Sequence, residues 1–229
     1  MFSLFNLGRS ESFKEKLVCL TIGGEPFYIP RSYIWGYENA HGDNLQTIDL
    51  QTLYPNFEGY NERTKNAFDG VSWHDEIMFQ LSPRSSSTFS PEQQIDLDLA
   101  LNMEDCRSTK VDDFDVYCFK GGEKELLVTE LSHNSRLALI CDSHDKEHGY
   151  CKGRITLNDA VEMTFVFSRM HLKDWYSIYK GLVRLAIVFY RGEDVPTVLQ
   201  RIGHVTPLPP AHSSPVQADA ATVDNILSA

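Results

Sequence analysis

Basic residues are scarce in this chain. Across 229 residues, 21 Lys and Arg face 32 Asp and Glu, for a formal net charge of −11. Such a surface repels phosphate backbones and excludes nucleic acid as a natural partner; a protein with a basic surface is the better electrostatic match. The signatures of common enzymes are missing too. No G-x-S-x-G, P-loop, G-x-G-x-x-G or C-x-x-C occurs. Residues 1–20 hold no apolar run of signal-peptide length, because Arg9, Glu11, Lys14, Glu15 and Lys16 interrupt it. The chain as written is therefore expected in the cytoplasm, with the periplasm as the alternative. Cysteine is sparse and odd in number: five leave at least one unpaired within the chain.

What is present is ordinary for a soluble globular protein, with 42% hydrophobic and 23% charged residues. The acids are concentrated. Between Glu92 and Glu130 there are eleven, against Arg107, Lys110, Lys120 and Lys124. That stretch is either an acidic solvated face or a docking surface.

The strongest structural signal lies in residues 136–191. From 172 to 190 the polar positions Lys173, Ser177, Lys180 and Arg184, with Arg191 just beyond, fall on one narrow stripe of a 3.6-residue helix. The remainder is nearly all apolar, so the helix is expected to be largely buried. It has the length of a membrane span, but its interleaved Lys and Arg argue against one. Gly181 sits mid-helix at a cost of about 1 kcal/mol against Ala, which the close approach of another element would offset. Before this helix, residues 161–168 alternate as a half-buried strand, as do residues 154–157 and the set Leu137, Leu139 and Cys141. A three-residue turn at Asn158-Asp159-Ala160 matches the apolar faces, placing Ile155 opposite Met163. A two-residue turn would mix the faces.

Elsewhere, residues 17–28 read as a hairpin about Gly23-Gly24, and residues 114–131 as another about Gly121-Gly122. Residues 46–50 and 77–81 read as strands. A short helix is expected over 61–68 with Asn61 as its cap. Ile95, Leu97, Leu99 and Leu101 alternate with polar residues or Ala100 as in a strand with one wet face. The organisation expected is a lead-in at 1–16, one α+β domain at 17–203 with a candidate subdomain break near 83–91, and a disordered tail at 204–229. The fold is α+β, with antiparallel sheet packed against a long buried C-terminal helix.

The most chemically loaded stretch is residues 141–151. Cys141, His144, His148 and Cys151 are residue types that suit zinc. His144 to His148 also spells H-x-x-E-H, the inverted zinc-protease motif, which works on a helix. The third reading is structural: a hairpin tip, with Cys141 and Cys151 on the apolar parity of their strands and close enough for a disulfide, or two buried thiols in a reducing compartment. The Asp112, Asp113 and Asp115 run lacks the Gly and the terminal Glu of a calcium loop. His74 beside Asp75 and Glu76 reads as surface.

Three pieces together carry a resemblance: Ile29-Pro30-Arg31-Ser32-Tyr33-Ile34; Leu53-Tyr54-Pro55-Asn56-Phe57; and the run from Cys141 through Cys151 and Phe165-Val166-Phe167-Ser168-Arg169 to Leu172-Lys173-Asp174-Trp175. The chain resembles, over residues 17–189, a set of poorly characterised bacterial proteins that are associated with secretion-system loci and are immunity-like. The resemblance implies export or membrane anchoring and a bridged cysteine pair, and it transfers no functional residue.

These readings point to a non-enzymatic protein-binding protein without a cofactor, of the kind that inhibits a toxin or effector. The alternative is a zinc-binding protein or metal-dependent hydrolase built on the 141–151 loop. A third reading is a structural subunit of a larger bacterial assembly. Oligomeric state is left open.

Overall fold

The computed structural model describes residues 17–35, 47–70, 74–84, 90–101, 103–111, 113–132, 135–143 and 149–192, leaving aside the side chains of 91, 92, 103–111 and 132. The expected lead-in, the loop after Trp35, Asp112 and the tail lie outside the described residues.

The chain opens with a hairpin of β1 (Leu17–Ile22) and β2 (Glu25–Pro30), which stands apart from the main sheet. Both turn residues, Gly23 and Gly24, have positive φ (61° and 88°), as a two-residue hairpin turn requires. Then come β3 (Ile48–Leu53), the short α1 (Lys65–Asp69), β4 (Glu76–Pro83), α2 (Pro91–Leu101), β5 (Met103–Val111), β6 (Phe114–Phe119), β7 (Lys124–Ser132), β8 (Ser135–Asp142), β9 (Tyr150–Thr156), β10 (Val161–Ser168) and α3 (Trp175–Arg191). The eight strands after the hairpin form one antiparallel sheet in the order β3-β4-β10-β9-β8-β7-β6-β5. β4 precedes the 83–91 stretch, yet it pairs with β10 from the far end of the chain.

Packing follows strand parity. Leu127, Leu139, Ile155, Met163, Phe165 and Phe167 turn to the face covered by α3 and the hairpin. Trp175 packs on Phe114 with ring centroids 5.1 Å apart, Phe189 on Tyr33 at 5.2 Å, and Tyr190 on Phe27 at 5.8 Å. The helix therefore runs from β6 to the hairpin across the whole apolar face. Burying each such large side chain contributes about 1.5–3 kcal/mol. A short 3₁₀ segment, Arg169–Asp174, leads into α3, and Gly192 closes it in the left-handed conformation at φ 66°.

The predicted three-residue turn is present. Met163 pairs with Ile155, the N–H of Leu157 reaches the carbonyl of Val161, and the Asn158 side chain accepts from Ala160 and Val161 at 2.8 Å each.

Two expectations fail. Residues 95–101, expected as a strand, belong to α2. Ile95 is buried and Leu99 half-buried one helical turn later, both against Leu126 and Val128 on the second face of the sheet, while Leu101 is exposed. A capping box starts the helix: Ser90 Oγ accepts from the Gln93 N–H at 3.2 Å, and Gln93 Oε1 accepts from the Ser90 N–H at 2.9 Å. The helix expected over 61–68 is shorter, at Lys65–Asp69. Asn61 caps the preceding turn instead, accepting from Arg63 and Thr64 at 2.8 and 3.2 Å.

Candidate functional site at one end of the sheet

Antiparallel pairing brings Leu53, Glu76, Ser168, Tyr150, Asp142 and Lys124 to the same end of the sheet. The 3₁₀ segment and the feet of the 144–148 loop sit there, and three polar arrangements follow from that convergence.

The first is the cysteine pair. Cys141 and Cys151 face each other in register, are fully buried, and are joined by a disulfide with Cα atoms 4.0 Å apart. Of the proposed zinc ligands, these two sulfurs are therefore bonded to each other, and a disulfide sulfur is not the thiolate that zinc takes. His144 and His148, and with them the whole H-x-x-E-H stretch, lie outside the described residues. Among the described residues no three His, Cys, Asp or Glu side chains gather as a metal site. Cys118 is also disulfide-bonded, while Cys19 is free and exposed.

The second arrangement is centred on Arg169. Its guanidinium Nη2 pairs with Glu125 Oε2 at 2.6 Å, and its Nη1 donates to the carbonyl of Asp142. Its backbone N–H donates to the carbonyl of Gly149 at 2.8 Å. One residue thus ties the turn after β10 to β7 and to both feet of the 144–148 loop. The feet are pinned further: Ser143 N–H donates to the Glu123 carbonyl at 3.0 Å, and Tyr150 N–H donates to Asp142 Oδ2 at 3.0 Å.

The third is His171. Its Nε2 lies 2.8 Å from Asp75 Oδ1, its Nδ1 3.9 Å from Asp174 Oδ2, and its ring 5.0 Å from the ring of Tyr54. The Tyr54 N–H in turn donates to the Asp75 carbonyl at 2.8 Å. Burial raises the Tyr54 phenol above its ordinary value, and Asp174 raises it further. A histidine between two carboxylates is oriented as in a catalytic dyad. Here, though, the neighbouring hydroxyl is a phenol made less acidic than usual, and among the described residues no Ser, Thr or Cys hydrogen-bonds to the imidazole. The arrangement fixes the turn, and among the described residues it holds no activated nucleophile.

Carboxylates predominate at this end. Asp75, Glu76, Glu125, Asp142 and Asp174 border the segment, against the permanent cations Lys124, Arg169 and Lys173. Several acids of the 92–130 stretch are instead engaged within the chain. Asp96 pairs with Arg136 at 2.7 Å, Asp98 is buried and accepts from Gln94 at 3.1 Å, and Glu125 is held by Arg169. Arg169 and His171 carry no periodicity or motif, and nothing local in the sequence announces them.

No family model matches the chain, and no curated protein matches it in sequence. Among solved structures it is similar to an immunity protein of the Stenotrophomonas maltophilia type IV secretion system, with a TM-score of 0.58 and 11% identity, covering 78% of this chain and 96% of that one. The likeness is one of fold. It agrees with the α+β architecture described above, a mostly antiparallel sheet with helices packed on it. No helix among the described residues is long and apolar enough to cross a membrane.

Proposed function

We propose that the protein is a non-enzymatic, immunity-like inhibitor that binds a toxin or effector delivered by a bacterial secretion system. The observation that carries this reading is the fold likeness, which extends over 96% of a protein described as an immunity protein of such a system. The carboxylate-rich sheet end supports it by offering a surface held in place from several strands, suited to a partner with a basic surface. The buried Cys141–Cys151 bridge favours an oxidising compartment, and hence the periplasm over the cytoplasm.

The test is co-expression. The product of the gene adjacent to this one, exported to the periplasm, should arrest growth. Co-export of this chain should restore growth, and the two purified proteins should form a complex that high salt weakens. Growth arrest without rescue, together with no complex on mixing, overturns the proposal.

A further inference from the structure

We infer that the outer stripe of α3 is a docking surface for an acidic protein segment, one rich in Asp and Glu. The inference stands apart from the inhibitor reading, which rests on the fold and on the carboxylate-rich sheet end. Lys173, in the 3₁₀ turn that leads into α3, and Lys180, Arg184 and Arg191 within the helix follow one another at steps of seven, four and seven. Such steps place them on one line along a helix. No Asp or Glu occurs from Trp175 to Gly192, in a chain whose acids outnumber its bases 32 to 21. A buried helix needs a polar stripe, but burial does not ask that every charge on it be positive. The macrodipole accounts for Arg191 in the last turn. Its effect dies away within that turn, and at the other end of the helix it disfavours Lys173.

The described carboxylates on the elements packed against α3 are directed elsewhere. Asp174 lies toward His171, Glu25 accepts from the Tyr190 hydroxyl at 3.1 Å, and Glu58 pairs with Arg63 at 3.2 Å. Asp113 and Asp115 flank Phe114, the residue that packs on Trp175, and so take the opposite parity. Arginines outside the helix find carboxylates within the chain: Arg84 has Asp159, Arg136 has Asp96, Arg154 has Glu162 and Arg169 has Glu125. Among the described residues Lys173 and Arg184 have no carboxylate partner. Arg184 is half-buried, and a half-buried cation of this kind is stabilised by an anion brought from outside. Shape then selects the anion. Lys180 and Arg184 are half-buried while Lys173 and Arg191 are exposed, so the line is sunk in its middle. From Lys173 to Arg191 it runs about 27 Å. A helix or extended segment laid along it reaches all four cations, whereas a flat bilayer meets the two ends. Beside the line Tyr176 and Tyr179 stack with ring centroids 6.3 Å apart, and Lys180 Nζ lies 5.1 Å from the Tyr176 ring. Such rings offer apolar contact area and hydroxyl donors to the carboxylates of the docked segment.

The probe is poly-L-glutamate, titrated against the full chain, with melting temperatures of all variants measured alongside. Wild type should bind it, and added salt should weaken the binding. Lys180→Gln with Arg184→Gln should weaken it about tenfold, while Lys180→Arg with Arg184→Lys, which keeps both charges, should stay within about threefold. Lys65→Gln with Lys152→Gln removes the same charge from two exposed lysines off the stripe and should also stay within about threefold. Should the first pair melt early, Lys173→Gln with Arg191→Gln, at exposed positions, carries the same test. No binding by wild type overturns the proposal, as does binding that the stripe substitutions leave unchanged or that the Lys65 and Lys152 pair weakens equally. Tighter binding through the same residues to phosphatidylglycerol vesicles or to duplex DNA overturns it too, by making the stripe a membrane or nucleic-acid surface. Self-association of wild type that Lys180→Gln with Arg184→Gln abolishes would give the stripe to a second copy instead. All of these failures leave the inhibitor reading intact, because growth rescue tests that reading separately.

Discussion

The ring of Phe57 occupies the space that a side chain on Gly181 would need. A Cβ built on Gly181 overlaps three atoms of that ring. Phe57 is placed there by its own segment: its N–H donates to the Leu53 carbonyl at 2.7 Å, and its carbonyl accepts from the Tyr33 hydroxyl at 3.0 Å. The glycine costs α3 about 1 kcal/mol of helix propensity, and the buried phenyl ring returns about 2–3 kcal/mol. Gly181→Ala should therefore destabilise the protein by about 1–3 kcal/mol despite the better helix former. Urea denaturation measures this, and Phe57→Leu in the same chain should recover part of the loss. A stabilised Gly181→Ala would show that the ring is not against the helix.

The start of α2 gives a second prediction. Ser90→Ala removes the side-chain acceptor for the Gln93 N–H and should cost about 1 kcal/mol, with Ser90→Asp retaining most of the cap. Urea midpoints of the three proteins decide it. The Ser-Pro-Glu-Gln signature was present in the sequence, but the alternation of Ile95, Leu97, Leu99 and Leu101 obscured it. Four leucine or isoleucine positions spaced by Asp96, Asp98 and Ala100 fit either period over so short a run when Asp98 and Leu97 are themselves partly or wholly buried.

The features legible in the sequence were the local ones. The Gly23-Gly24 hairpin, the 157–161 turn and the facing of Cys141 with Cys151 each follow from parity and turn residues within a few positions. The sheet order was not legible, because nothing near Glu76–Pro83 specifies Val161–Ser168 as its neighbour. The same holds for the turn that carries Arg169 and His171. His171 meets Asp75 across 96 residues of chain and Arg169 meets Glu125 across 44, contacts that only the folded sheet creates.

The disulfide yields a third prediction. Cys141 and Cys151 close a loop with a sequence separation of 10. By chain entropy that bridge contributes about 2–3 kcal/mol, so Cys141→Ser with Cys151→Ser should lower stability by that amount. The same proteins discriminate the zinc alternative. With the bridge formed, a chelator should leave the melting temperature unchanged, and His144→Ala with His148→Ala should leave the metal content unchanged. Near-stoichiometric zinc that vanishes with those two histidines would instead favour the metal reading.

The response to alkali is the fourth. Burial holds the Tyr33 phenol well above its usual value; the nearby Glu58 charge adds to the effect, and a hydrogen bond from the Gly59 backbone opposes it. Tyr54 and Tyr150 shift the same way, chiefly through burial, and Tyr190 does so through its hydrogen bond to Glu25. A folded-state pKa above the unfolded value means that the folded protein keeps its proton where the unfolded chain has lost it. Stability from these groups is thus complete below about pH 10 and falls as pH rises through the folded value. Urea midpoints should stay level to about pH 10 and then decline. Tyr33→Phe should cost about 1 kcal/mol at neutral pH, the worth of the bond to the Phe57 carbonyl, and should make the alkaline decline shallower. An unchanged slope in that variant would remove Tyr33 as the cause and leave the three less buried phenols to account for it.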